Sequence, residues 1–159
     1  DGFHNTGTTQ TAYDTVHGEG AFAKLDPSKA VFGRLTEDDP NIVDLGRYNV
    51  NAADSTVASF KTPGLRNITK TGPYNHDGQK ATLEDVIRHK IKISEMAKAG
   101  KLRNPDPAYL TMNLTEKDVP QLAAFLRTLD EVPEDEFRDY RIDNVRIRQD
   151  VIEESTYEN

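Results

Sequence analysis

Residues 60–87 read FKTPGLRNITKTGPYNHDGQKATLEDVI. Pro63, Gly64, Gly72, Pro73 and Gly78 crowd into a few turns, with Arg66, Tyr74, His76 and Asp77 among them. Glycine and proline at that density specify tight turns, and loops shaped in this way are where binding residues concentrate. A helix then opens at Thr82, because Thr82 with Asp85 three residues later forms a capping box. Leu83, Val86, Ile87, Lys90 and Ile91 follow at three- and four-residue spacing, which places them on one arc of a helix surface. Ile93 extends that arc, and Gly100 is expected to stop the helix.

Lys90 lies in the middle of this apolar arc, whereas His89 falls outside it on the neighbouring face. A lysine in that position must reach solvent, lose its proton or meet a partner, because an isolated buried ammonium is costly. Further along, Val119, Leu122, Ala123, Leu126 and Leu129 give a second helix with an apolar stripe. Asp118 is expected to cap it, with Pro120 in the first turn. The intervening residues 101–114, with Pro105 and Pro107, read as a loop. Residues 1–56 contain six glycines and many Thr, Asn and Asp without sustained periodicity, so they read as loops with short turns of helix.

The chain has 159 residues, enough for one modest domain. Residues 1–130 are expected to form that domain and residues 131–159 an acidic extension. Ten of the chain's Asp and Glu fall in 131–159 against four Arg, which reads as a solvated segment. A net charge of -7 and the absence of a basic stripe argue against a nucleic-acid partner. There is no cysteine, so disulfides, thiolate metal sites and thiol nucleophiles are excluded within this sequence. No apolar run approaches the roughly 20 residues needed to span a bilayer. Gly-x-Ser-x-Gly, Walker-type and His-Glu-x-x-His motifs are absent. The mean hydropathy of -0.73 is low for a packed domain and points to long solvated segments or to missing core, some of which a bound prosthetic group could replace.

The order Phe-Lys-x-Pro-x-Leu-Arg-Asn, a spacer, Pro-Tyr-x-His-Asp-Gly and Thr-Leu-Glu-x-Val resembles the C-terminal haem domain of the bacterial di-haem cytochrome c peroxidase and MauG-like family. Phe3 to Gly7, Asp44 to Arg47 and LTEKDVPQLAAFLRTL at 114–129 resemble further stretches of that family in the same order. The resemblance implies a mainly α, cytochrome-c-like haem domain with long ordered loops. It also implies a partial domain, because c-type attachment uses Cys-x-x-Cys-His, which would precede the His-Asn-Thr-Gly stretch. Haem c would thus be attached outside this sequence.

The same resemblance assigns expectations to residues. Lys90 stands seven after Leu83, where the family carries the distal axial ligand of the C-terminal haem as methionine or tyrosine. A neutral lysine amine can ligate iron. His89 and Met96 are the alternatives, and an amine that only reaches solvent or pairs with an acid is the plainer reading. His4, Arg66, Tyr74 and His76 are expected beside the haem. Arg66 would pair with a propionate or with an acidic side chain, and His76 would be a strut or part of an electron path. His17 reads as an ordinary loop histidine. Thr71 and Pro73 match positions whose backbone carbonyls hold a structural calcium, a hard cation suited to oxygen ligands.

Function follows by the same resemblance. The chain would form the pocket of the electron-transfer haem that feeds a peroxide-reacting haem elsewhere in a periplasmic oxidoreductase. Its partners would be the N-terminal haem segment, a small electron-donor protein and hydrogen peroxide as substrate. The alternative is a haem-free scaffold or subunit-interaction module that retains the fold alone.

Overall fold

The computed structural model describes residues 2–131. The expected extension at 131–159 therefore lies, apart from Glu131, outside the described residues. The architecture is mainly α: six α-helices, several single turns of 3-10 helix and one two-stranded sheet are found among the described residues. The strands β1 (Phe3–Asn5) and β2 (Ser59–Lys61) pair antiparallel, with His4 opposite Phe60. This short sheet ties the start of the chain to the segment that begins at Phe60.

The helix α4 (Leu83–Lys98) is the longest among the described residues and is packed on several sides. Thr82 accepts a hydrogen bond from the Asp85 amide at 3.1 Å and donates its hydroxyl to the Asp85 carboxylate at 2.7 Å, so the expected cap is formed. At the other end Gly100 takes φ +67, a left-handed conformation suited to closing a helix. Leu83 and Ile87 pack against Val119 and Ala123 of α6 (Val119–Arg127). Ile93 and Ala97 pack against Leu102 and against Tyr109 of α5 (Pro107–Thr111). Each buried leucine, isoleucine or valine among these contributes about 1.5–3 kcal/mol relative to exposure, so α4 is held by both of its neighbours.

Two expectations are corrected. The first 56 residues contain a ten-residue helix, α1 (Thr8–His17), besides the short α2 (Ala21–Lys24) and α3 (Tyr48–Asn51). Its buried face is Thr8, Thr9, Gln10 and Tyr13, which carries almost no apolar periodicity. Gln10 is satisfied there by donating to the Lys101 carbonyl at 2.7 Å and accepting from the Arg103 amide at 2.9 Å. Second, the loop 101–114 contains α5, opened by Asp106 as cap and Pro107 in the first turn. Asp118 stands at the expected cap position of α6 with Pro120 in the first turn, and Thr115 caps the single turn that precedes it. The Asp118 carboxylate reaches back to the Thr115 amide at 2.7 Å, over a 3-10 turn (Glu116–Asp118) that runs into α6.

Tyr13, Phe22, Val43, Leu45, Val57 and Ala58 form a separate core under the long loops of the first half. Gly7, just before α1, has φ +69, and a Cβ there would lie 2.2 Å from the Ile93 Cδ1. The α1 start therefore sits directly on α4.

Candidate functional site

The site is built around two consecutive residues of α4 that are both withdrawn from solvent. Lys90 donates from Nζ to the Tyr109 hydroxyl at 2.8 Å. The amine also lies 5.5 Å from the Tyr109 ring centroid. Burial lowers the Lys90 pKa from 10.5 to about 8, against the opposing pull of the Asp106 carboxylate. Burial likewise raises Tyr109 to about 12, with Asp106 adding to the rise. A protonated amine and a neutral phenol therefore face each other at neutral pH, and the amine can be deprotonated under mildly alkaline conditions.

Asp106 joins this pair to the sheet. Its carboxylate accepts from the Ala108 amide at 2.8 Å as the cap of α5 and contacts the Nδ1 of His4. The Ala108 amide, then His4 and Lys90, hold its pKa below the usual carboxylate range, with desolvation opposing them. His4 is opposite Phe60 in the β1–β2 register, so the two side chains share a face of the sheet. Phe60 in turn stacks on His76, with ring centroids 3.6 Å apart and an interplanar angle of 12°. Burial lowers the His76 pKa, and Asp77 and Asp44 oppose that shift. His76 nonetheless keeps much of its surface exposed. One continuous set of contacts thus runs from His76 through Phe60, His4 and Asp106 to Tyr109 and Lys90.

His89 corrects the helical arc drawn from spacing. It is 6% exposed, more deeply buried than Lys90, and faces the start of α1. Its Nε2–H donates to the Thr6 carbonyl at 3.0 Å, and the Thr8 hydroxyl lies 3.4 Å from the same nitrogen. Desolvation lowers its pKa to about 4, aided by the charges of Lys80, Lys90 and Lys92 and opposed by the Thr6 hydrogen bond. The imidazole is neutral at pH 7 and serves as a strut between α4 and the β1–α1 turn. The arc failed because α4 is buried on more than one side, so a polar residue between two apolar faces is also covered.

The other sequence candidates separate from this group. Tyr74 packs against the α4–α6 core and donates its hydroxyl to the Ile68 carbonyl at 3.1 Å. Met96 fills the α4–α5 core. Arg66 is exposed and has no ion pair or hydrogen bond among the described residues. Thr71 and Pro73 lie on an exposed turn that includes the cis Gly72–Pro73 bond. No group of three or more His, Cys, Asp or Glu suited to a metal ion occurs among the described residues. His17 ends α1 and rests on Tyr13, 4.5 Å between ring centroids. Asp106 and Tyr109, the partners of Lys90, were missed by sequence reasoning. The Asp-Pro pair at 106–107, a helix-start signal, was the available clue.

Comparison with known proteins agrees on one group. The chain is 36% identical over 94 residues to the methylamine utilization protein MauG of Methylorubrum extorquens, covering 57% of this chain and 25% of that protein. It is 31% identical over 101 residues to the cytochrome c peroxidase Ccp of Escherichia coli, covering 64% and 17% respectively. It is 37% identical over 89 residues to MauG of Methylophilus methylotrophus, covering 55% and 25%. The chain thus spans a quarter or less of the length of these curated relatives. No family model matches the chain, and no solved structure matches it. Over roughly half of its length, the chain is related to the family of MauG and the bacterial cytochrome c peroxidases.

Proposed function

We propose that this chain forms one wall of the pocket of an electron-transfer c-type haem in a periplasmic, MauG-like or cytochrome c peroxidase-like di-haem oxidoreductase. The observation that carries the reading is Lys90: at the position of the family's distal ligand stands an amine that is desolvated, lowered to a pKa of about 8 and held by Tyr109. A haem bound there would supply a one-electron iron couple, whose potential depends on its axial ligand and on burial.

The residues present fit such a group. A nitrogen ligand needs a free lone pair, and desolvation moves the lysine amine toward that form. Tyr109 holds the amine in a fixed direction, while Asp106 limits how far its pKa falls. The flat Phe60–His76 pair and the edge of His4 offer aromatic and polar surface next to the same group. Arg66, exposed on its turn, is available to pair with a propionate through its planar fork. Tyr74 supports the Ile68 turn from within the core. The carbonyls of Thr71 and Pro73 lie on an exposed turn that can present oxygen to a calcium ion shared with another domain. In this reading the parent protein reacts with hydrogen peroxide at its other haem and receives electrons from a small donor protein.

The test is the oxidised and dithionite-reduced absorption spectrum of the protein carrying this chain, as wild type and as Lys90→Ala. Removal of the amine is expected to shift the low-spin bands of one c-type haem and to leave the other haem unchanged. Identical spectra would remove Lys90 as a ligand. Absence of any c-type bands from the wild-type protein would favour the haem-free scaffold.

A further inference from the structure

On the side of α4 turned away from the Tyr109 pair, an open cleft of about 580 Å³ lies between α1, Leu35 and the turn that carries Gln79 and Lys80. Its two long walls differ in chemistry. From α4 and the preceding turn come Lys80, Arg88, His89 and Lys92, with Asp85 as the acidic residue on that wall. Arg88 is already engaged, 3.2 Å from Glu116 and 3.7 Å from Asp85. Lys80 and Lys92 pair with no carboxylate among the described residues, and both act on His89 as unopposed positive charges. His89, nine-tenths buried, commits its Nε2–H to the Thr6 carbonyl, which leaves Nδ1 as the ring atom able to accept a further hydrogen bond.

The opposite wall carries the hydroxyls of Thr11 and Thr15 beside the apolar side chains of Ala12, Val16 and Leu35. Thr11 donates to the Gly7 carbonyl at 2.9 Å, and Thr15 donates to the Thr11 carbonyl at 2.7 Å. Both protons are therefore used within α1, and each oxygen retains lone pairs that can accept. One wall thus supplies uncompensated positive charge, and the other supplies acceptors for a ligand's own hydroxyls.

We infer that this cleft binds a small hydroxylated anion of sugar-phosphate size, with the anionic group between Lys80 and Lys92 and the hydroxyls toward Thr11, Thr15 and the Nδ1 of His89. The volume falls within the range of small-molecule sites, about 300–1,000 Å³. Charge-assisted bonds from two lysines supply the attraction, and the threonine wall supplies the preference for a hydroxylated ligand over a bare oxyanion. The site is separate from the Lys90 group, and its test does not depend on haem.

The experiment is calorimetric titration of the full-length protein with glucose 6-phosphate, inorganic phosphate, sulfate and glucose at matched ionic strength. Glucose 6-phosphate is expected to bind saturably at one site and more tightly than phosphate or sulfate. In Lys80→Gln/Lys92→Gln, folded as judged by circular dichroism, its affinity is expected to fall at least about tenfold, as the loss of two charge-assisted contacts implies. In Thr11→Val/Thr15→Val the advantage over inorganic phosphate is expected to disappear. Unchanged affinity in the lysine variant, an unchanged preference in the threonine variant, or equal weak responses to glucose 6-phosphate and sulfate would each overturn the assignment.

Discussion

His89 and Lys90 are neighbours in sequence and both lose solvent on the same helix, yet they are stabilised in opposite ways. His89 is neutral and makes one local bond to the Thr6 carbonyl, which fixes the β1–α1 turn on α4. Lys90 keeps an ionisable amine against a phenol and within the field of Asp106, an arrangement in which burial opposes its charge. A buried polar group that is satisfied and uncharged serves packing. One that retains a charge at a cost in stability is the better candidate for function.

The largest effect expected on the His89 side is from Gly7→Ala. The added Cβ would require φ +69 and would meet Ile93 at 2.2 Å, so a loss of about 3 kcal/mol or more is expected, read as a lower urea midpoint. His89→Leu is expected to cost about 1–2 kcal/mol by leaving the half-buried Thr6 carbonyl without its donor. Its pH dependence gives a sharper check. Because the folded pKa of about 4 lies below the ordinary 6.5, the unfolded chain takes up a proton between these values and the folded one does not. Stability therefore falls as pH drops from 6.5 to 4, by about 3 kcal/mol, and that part of the acid dependence should vanish in His89→Leu. A profile identical to wild type would mean that the imidazole is not buried as a neutral strut.

On the Lys90 side the sign of the mutational effect reverses. Lys90→Met retains the apolar stem and removes the desolvated charge, so it should stabilise the fold at pH 7 by about 1–3 kcal/mol. The wild-type penalty should fade as pH rises from 8 toward 10.5, because there the unfolded lysine holds a proton that the folded one has released. A destabilised Lys90→Met would make the amine a structural strut like His89 and erase the contrast. The smallest expected change is from Tyr109→Phe, about 1 kcal/mol through loss of the hydroxyl acceptor for Lys90. In a Lys90→Met background the same change should be nearly neutral, and a double-mutant cycle measures the difference.

Much of the α4 region was legible in the sequence. Thr82 and Asp85 marked its start, Gly100 its end, and Leu83, Ile87 and Ile93 its buried face. The first half was less legible, because α1 buries Thr8, Thr9 and Gln10 against distant polar groups: His89, the Asp44 carbonyl, and the Lys101 carbonyl with the Arg103 amide. Hydrophobic periodicity carries no signal when a helix is held by polar contacts. The candidate site was half visible. Lys90 stood out as a charge among apolar neighbours, and His4 and His76 came from a recognisable order of motifs. The contacts that join them pass through Phe60 and through the neighbouring Asp106 and Tyr109, two places remote in sequence from each other.

The sequence by itself determined the mainly α character, the limits of α4, the relationship to MauG and the bacterial cytochrome c peroxidases, and the oddity of a lysine on an apolar arc. These follow from local spacing, capping chemistry and the order of motifs, all of which a linear chain displays. Only the tertiary structure decided that His89 is buried as a strut, that Lys90 meets Tyr109 beside Asp106, and that Phe60 joins His4 to His76. Burial and charge pairing depend on what packs against a residue from another part of the chain, and a one-dimensional pattern does not contain that neighbour.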